Sequence, residues 1–172
     1  MNANKRVRLM RLTAGFLLMS LAFVAEAQAS SSHASGGGTY FVKPGILSEF
    51  QLSESHVQCK IGHGVLDDGT VLQMWMFSTS IDSVSVDTAA GTVDITGTMI
   101  SIVTLHFTDG SSARLRETVP FHAYAEDNRG AGADFFSLTV DYTNTPDLDQ
   151  FDLFGSPATF AGTLETGDVR VR

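Results

Sequence analysis

Apolar and polar residues alternate with a period of two along most of the chain that follows residue 38. In residues 92–96, Val93 and Ile95 alternate with threonine and aspartate, as in a strand that is wetted on one face. Residues 168–172 repeat this pattern at the end of the chain. No window after residue 30 keeps a helical period with capping residues. The pattern predicts an all-β chain, with a single helical turn at residues 150–154.

The predicted strands are short and rich in Val, Ile, Thr, Phe and Tyr, which suit a half-buried pleated surface. The polarity of the two faces reverses within residues 81–86, which predicts a bend or a change of face. The clearest segments are residues 70–78, 83–87, 92–102, 104–108, 113–126, 135–142, 159–165 and 168–172, and weaker ones are residues 39–42, 49–59 and 62–66.

Tight turns are predicted between these segments at residues 67–69, 89–91, 108–111 and 165–168. Two of the turns contain Asp-Gly, which is a strong hairpin signal. The long helical crossovers that a parallel sheet needs are absent from the sequence. We therefore expect an antiparallel β-sandwich or a closed β-barrel of roughly 8–10 short strands.

The first 29 residues differ in composition from the rest of the chain. Four basic residues precede an uncharged apolar run of 13 residues, at 12–24, and small residues then alternate up to Ala29. This is the pattern of a cleaved signal peptide, and the run is shorter than the roughly 20 residues of a membrane span. We expect a secreted or periplasmic protein with a signal peptide at 1–29, a flexible Ser/Gly linker at 30–38 and a single β-rich domain at 39–172.

Charge and cysteine content exclude several classes of function. The whole chain carries a net charge of −8, and loss of residues 1–29 leaves seven basic and eighteen acidic residues, a net charge of −11. Such an acidic chain has no basic footprint for nucleic acid and is repelled by anionic surfaces. The single cysteine, Cys59, excludes an internal disulfide framework and a cysteine-built zinc site. We expect Cys59 to be a buried small hydrophobe, with intermolecular pairing as the alternative.

The second half of the chain carries an ordered set of motifs: a strand with a central glycine, an Asp-Asn-Gly-rich turn, an Asp-x-Phe strand and a Gly-Thr-Leu ending. In this order they resemble the post-COAP type of secreted bacterial β-domain, over about residues 66–172. The resemblance implies a compact domain on extracellular proteins, often an appendage, with no agreed activity, so it assigns no catalytic residues. This chain differs from the pattern in having Arg129 inside the turn and an insertion at residues 146–149. The strand with the central glycine is residues 92–98. A second strand at 121–127 leads into the turn and the Asp-x-Phe strand at 127–138, and the ending is residues 161–171.

The turn in that set has two interpretations. Residues 130–136 match most of a calcium-binding nonapeptide, although Arg129 replaces its first glycine and only one copy is present. In one interpretation Asp127, Asn128 and Asp134 contribute oxygen ligands to a calcium ion. In the other, which we favour, the glycines supply positive φ angles and the acids accept backbone N–H groups. No cofactor is required, and calcium is the one that the sequence suggests.

Several histidines suggest an alternative function, in which the protein is an enzyme. His122, Tyr124 and Glu126 have the spacing that puts all three on one face of a strand. Joined by His106, and by His63 from a neighbouring strand, they could form an acid–base or metal set in a small secreted β-barrel enzyme. We favour a polar, solvated strand face, since no nucleophile motif accompanies these residues.

Aromatic residues suggest a binding surface. Trp75 and Phe77, with Phe135 and Phe136, could form a platform on which a carbohydrate stacks. Trp75 lies between two methionines, so we expect it to belong to the core.

The function that fits these observations is a secreted, non-enzymatic β-domain with a binding or scaffolding role at the cell surface or in the periplasm. The expected partner is an extracellular protein, a glycan or a small molecule, with no nucleic acid. We expect no membrane span after signal cleavage, because the strands lack the aromatic girdles of an outer-membrane barrel.

Overall fold

The structure is a computed structural model that describes residues 32–129, 133–145 and 156–172. In these residues eight antiparallel strands form a closed barrel, in which each strand pairs with the next along the chain and the last pairs with the first. The predicted all-β antiparallel fold is confirmed, with the architecture of a closed barrel. The strands are β1 (Ala34–Lys43), β2 (Ile46–Ser53), β3 (His56–Val65), β4 (Val71–Asp87), β5 (Thr92–His106), β6 (Ser112–Glu126), β7 (Phe135–Val140) and β8 (Ala158–Val171).

Three sequence predictions concern residues outside the described part of the chain. They are the signal peptide at 1–29, the insertion at 146–149 and the helical turn at 150–154. Within the described ranges, no helix has the length and apolar character needed to cross a membrane.

Apolar side chains fill the inside of the barrel. Along most of the 15 residues of β5, every second residue is buried, which is the period-2 burial that the sequence pattern predicts. The rings of Phe50 and Phe136 stack with centroids 4.1 Å apart, and the Tyr40 ring meets both of them at steep angles. The interior is therefore a packed core, and the side chains available for recognition lie on the outer surface and at the two ends.

β4 unites two segments that the sequence predicts as separate strands, residues 70–78 and 83–87. Between Ser78 and Ser83 its register with β5 shifts by one residue twice. Each extra residue reverses which side chains face inward, so the first bulge reverses the alternation and the second restores it. The predicted change of face is thus confirmed, and two β-bulges cause it.

Turns follow the sequence in most places and differ at residues 54–55 and 165–168. Gly69, Gly91 and Gly110 have positive φ angles in three predicted turns, which are confirmed. The predicted strand at residues 49–59 is wrong, because a tight turn at residues 54–55 separates β2 from β3. No glycine or proline marks that turn.

The glycine-rich segment at residues 34–38, predicted as the end of a linker, is the first half of β1 and pairs with both β2 and β8. A Cβ on Gly38 would lie 2.1 Å from the carbonyl oxygen of Thr166, and a Cβ on Gly167 would lie 2.1 Å from a carbonyl oxygen of β1. Gly167 also has a φ angle of +103°. The predicted turn at residues 165–168 is therefore wrong: β8 continues through it, and glycines let the two strands approach closely.

Candidate functional site

His122, Tyr124 and Glu126 point outward from β6, as their spacing predicts. Nε2 of His122 lies 2.8 Å from Oδ1 of Asp94 on β5, and both side chains are about half exposed. The Tyr124 hydroxyl donates a 2.6 Å hydrogen bond to Oε1 of Glu126. This bond, with a smaller contribution from desolvation, raises the pKa of Tyr124 to about 12. The face therefore holds two separate pairs, His122–Asp94 and Tyr124–Glu126.

His106 is not brought to this face. It is the last residue of β5, whereas His122 is opposite Thr96 of the same strand. Ten residues of extended strand, about 33 Å, separate Thr96 from His106. His63 lies in a bulge near the end of β3. In the part of the chain that the structure describes, no group of three or more His, Cys, Asp or Glu side chains is placed to hold a metal ion.

The loop between β6 and β7 is fastened to β8 by its two carboxylates. Oδ1 of Asp127 accepts the N–H of Arg129, and its Oδ2 accepts the N–H of Val171, both at 3.0 Å. Asp134 likewise accepts the N–H of Asn128 at 3.0 Å and of a second β8 residue at 2.6 Å. All four carboxylate oxygens thus accept backbone N–H groups, as the turn interpretation predicts. A calcium ion would have to share these oxygens with the N–H donors. Calcium binding by Asp127, Asn128 and Asp134 stays a prediction, since residues 130–132 lie outside the described part.

Cys59 is completely buried inside the barrel, as predicted. Its Sγ lies 3.1 Å from the hydroxyl oxygen of Ser48 and 3.4 Å from that of Tyr40. Burial raises the pKa of both the Cys59 thiol and the Tyr40 hydroxyl. The thiol is thus held neutral and away from solvent.

Trp75 lies on the outside of the barrel, so the prediction that it belongs to the core is wrong. Its exposed fraction is 46%, whereas Met74 and Met76 on either side point inward and are buried. A strand places successive side chains on opposite faces, so the run Met-Trp-Met cannot bury all three. The ring of Phe77, the next outward residue, has its centroid 5.0 Å from that of the indole.

The second aromatic pair of the sequence divides between the two faces of β7. Phe136 is buried in the core, and Phe135 lies beside Tyr124, with ring centroids 6.4 Å apart. The platform on the outer face of β4 therefore consists of Trp75 and Phe77.

A groove of about 570 Å³ opens beside Trp75 on the outer face of β3–β6, and we call it the Trp75 groove. Its floor and edges are formed by rows of side chains that cross the strands in register. One row runs from Lys60 of β3 through Trp75 and Ile102, which line the groove, to Arg116 of β6, which continues the row past the lining residues. The other polar side chains that line the groove are Gln58, Gln73, Thr104 and Arg114.

Three cations lie around the Trp75 groove, and none of them has a carboxylate partner among the described residues. Lys60, Arg114 and Arg116 are exposed, and they take part in none of the ion pairs among the described residues. Residues 30–172 hold seven basic and eighteen acidic residues. Three of the seven basic residues thus gather on one face, which makes the groove a positively charged site on an acidic chain.

No family model matches the chain, and neither a curated protein nor a solved structure matches it. The similarity of residues 66–172 to the post-COAP type therefore stays a prediction. The function has to be argued from the site itself.

Proposed function

We propose that the protein is a secreted, non-enzymatic binding domain that acts at the cell surface or in the periplasm and holds a glycan in the Trp75 groove. The half-exposed indole of Trp75 is the observation that carries this proposal. A tryptophan on an outer strand face leaves a large apolar ring in water, and a rigid strand fixes its position for a ligand. The signal-peptide pattern of residues 1–29 supports the location.

The groove combines the two kinds of contact that sugar recognition requires. A pyranose ring has an apolar C–H face that packs on an aromatic ring, and its edge carries hydroxyl groups that need donors and acceptors. Trp75 supplies the aromatic surface inside the groove, and Phe77 extends this surface along β4 beside it. The side-chain amides of Gln58 and Gln73 line the same groove, and each amide can both donate and accept a hydrogen bond.

A small β-barrel enzyme is the second candidate, and the hydrogen bond between His122 and Asp94 is the observation that favours it. A carboxylate hydrogen-bonded to a histidine fixes the orientation of the ring. The pair lies on an open strand face, Glu126 is engaged by Tyr124, and His106 is at the far end of β5. We therefore favour binding over catalysis.

Affinity electrophoresis of the purified protein tests the proposal, in gels that each contain one neutral or acidic polysaccharide, such as xylan, glucomannan, alginate or polygalacturonate. We expect at least one of them to retard the protein. Trp75→Ala should lower the affinity about tenfold, because removal of an aromatic anchor costs a large share of the binding energy. The matched control is Phe41→Ala, since Phe41 is 47% exposed but lies on β1, outside the groove.

Retardation by none of the polysaccharides, or equal retardation of Trp75→Ala and the wild type, contradicts the proposal. His122→Ala should bind like the wild type, because His122 does not line the groove. Release of reducing sugar ends that stops in His122→Ala would instead establish the enzymatic candidate.

A further inference from the structure

We propose that the occupant of the Trp75 groove is an acidic polysaccharide that carries carboxylates, such as a polyuronate. This inference rests on the proposed function and specifies the charge class of the glycan. The observation behind it is a strand-crossing row in which Lys60 and Arg116 stand on opposite sides of Trp75.

Strand register sets the spacing of these groups. Neighbouring strands lie about 4.8 Å apart, so Lys60 is one spacing from Trp75 and Arg116 is two spacings away on the other side. The two cations are separated by about 14 Å across the sheet. Arg114, two residues from Arg116 on the same face of β6, extends the positive edge. A ligand that crosses the strands therefore meets a cation, an aromatic ring and then two further cations.

That order of groups fits a polymer of acidic sugars. A ring stacked on Trp75 directs a carboxylate on its edge toward Lys60, and the next rings pass over Ile102 and reach Arg116. The guanidinium group binds a carboxylate through two parallel hydrogen bonds, and the ammonium group binds it as a point charge. A single sugar cannot contact both ends of the row, so we infer a chain.

The net charge of the chain opposes this binding at long range but not at contact. Residues 30–172 have a net charge of −11, which repels a polyanion. At physiological ionic strength the Debye length is about 8 Å, so acidic residues on other faces are largely screened from the groove. Glu49 is the acidic residue in the same row, and it lies on β2, beyond Lys60 from Trp75. Within that distance Glu49 offsets part of the charge of Lys60, and the three cations, which form no ion pair among the described residues, leave a net positive charge in and beside the row.

Titration calorimetry of the purified protein with polygalacturonate tests the inference. The comparison probes are the same polymer with its carboxyl groups reduced to alcohols, and polyglutamate. We expect polygalacturonate to bind, with an affinity that falls as salt rises, and the reduced polymer to bind much more weakly. Lys60→Gln and Arg116→Gln should each lower the affinity about two- to five-fold. Arg170→Gln is the matched control, because it makes the same change of net charge on β8, where Arg170 pairs with Asp168 at 2.6 Å.

Four results would overturn the inference, and they differ in whether the proposed function survives. Equal binding of the reduced polymer, or unchanged affinity in both glutamine variants, removes the acidic ligand but leaves the proposed function if Trp75→Ala still loses binding. Polyglutamate binding as tight as that of polygalacturonate points instead to an acidic protein partner. Failure to bind any polysaccharide, neutral or acidic, overturns both proposals.

Discussion

The three tyrosines of this chain all resist ionisation, but for two different reasons. Tyr40 and Tyr142 are buried, and desolvation raises the pKa of each, that of Tyr142 to about 12. Tyr124 lies on the outer surface, where its neutral hydroxyl donates a hydrogen bond to Glu126. That bond is the main reason why its pKa is also raised to about 12.

A spectrophotometric titration would show this difference. In the native protein none of the tyrosines should ionise near pH 10.0, their ordinary value, whereas all should do so after unfolding. Since the folded pKa values are raised, these groups contribute stability that is fully present below about pH 10 and is lost as the pH rises through the folded values. Glu126→Gln should lower the pKa of Tyr124 alone. An unchanged titration curve in that variant would contradict the assigned cause.

Trp75 shows how much of the candidate site could be read from the sequence. Gln73, two residues earlier, shares its face, and this polar neighbour was a local sign that Trp75 points outward. The cations that give the groove its charge could not be predicted from local alternation. Lys60 and Arg116 join Trp75 only through the register of four strands, which local alternation does not define.

Strand β8 depends on glycine where it approaches β1. Its register with β1 shifts between Thr39 and Tyr40, and Gly167 faces the backbone of β1 at that point. Any side chain there would meet a carbonyl oxygen of Gly37, and the positive φ angle adds backbone strain.

Gly167→Ala should therefore lower the free energy of unfolding by about 2–4 kcal/mol. Gly62→Ala is the matched control, because a Cβ at Gly62 meets nothing within 4 Å and its φ is not in the left-handed region. Its effect should stay within about 0.5 kcal/mol. Urea unfolding of the two variants measures both, and equal losses would show that close approach to β1 does not constrain this position.

Strand existence could be predicted because alternation is a local property, as in β5, where one pattern runs through the whole strand. Strand ends were predicted less well. The division of residues 70–87 into two strands arose from bulges that reverse the pattern without ending β4. The turn at residues 54–55 was missed because its residues are ordinary polar ones. Local composition does not contain the pairing that decides both cases.

At the scale of the whole molecule, the barrel has two different outer sides. Among the residues that the structure describes, the large apolar side chains that remain exposed all lie on β1–β4, whereas the outer faces of β5–β7 near His122 carry threonines, serines and paired polar groups. The members of this set on the outer face are Phe41, Leu47, Val65 and Trp75, whereas Val84 is opposite Ile95 and lies on the inner face of β4 beyond its bulges. This asymmetry fits the recognition surface that we propose on the first half of the barrel, with the cations of β6 at its border.

Closure of the barrel could not be predicted from composition, because β1, the strand that closes it against β8, begins in a Ser/Gly run. Residues 34–38 supply five of the seven residue pairs between β1 and β8. Without them the end of β8 would lose its β1 partner. Val169 and Val171, which are 0% and 2% exposed, would then become exposed to solvent. An exposed strand edge readily pairs with another chain.

A chain that begins at residue 39, where the composition predicts that the domain starts, should therefore unfold at a lower temperature and self-associate. A chain that begins at residue 32 keeps every pair of the β1–β8 ladder and should remain a cooperative monomer. Thermal unfolding followed by circular dichroism, together with size-exclusion chromatography, compares the two. If the shorter chain melted at the same temperature and stayed monomeric, residues 34–38 would be a linker after all, and the closed barrel would not depend on their pairing.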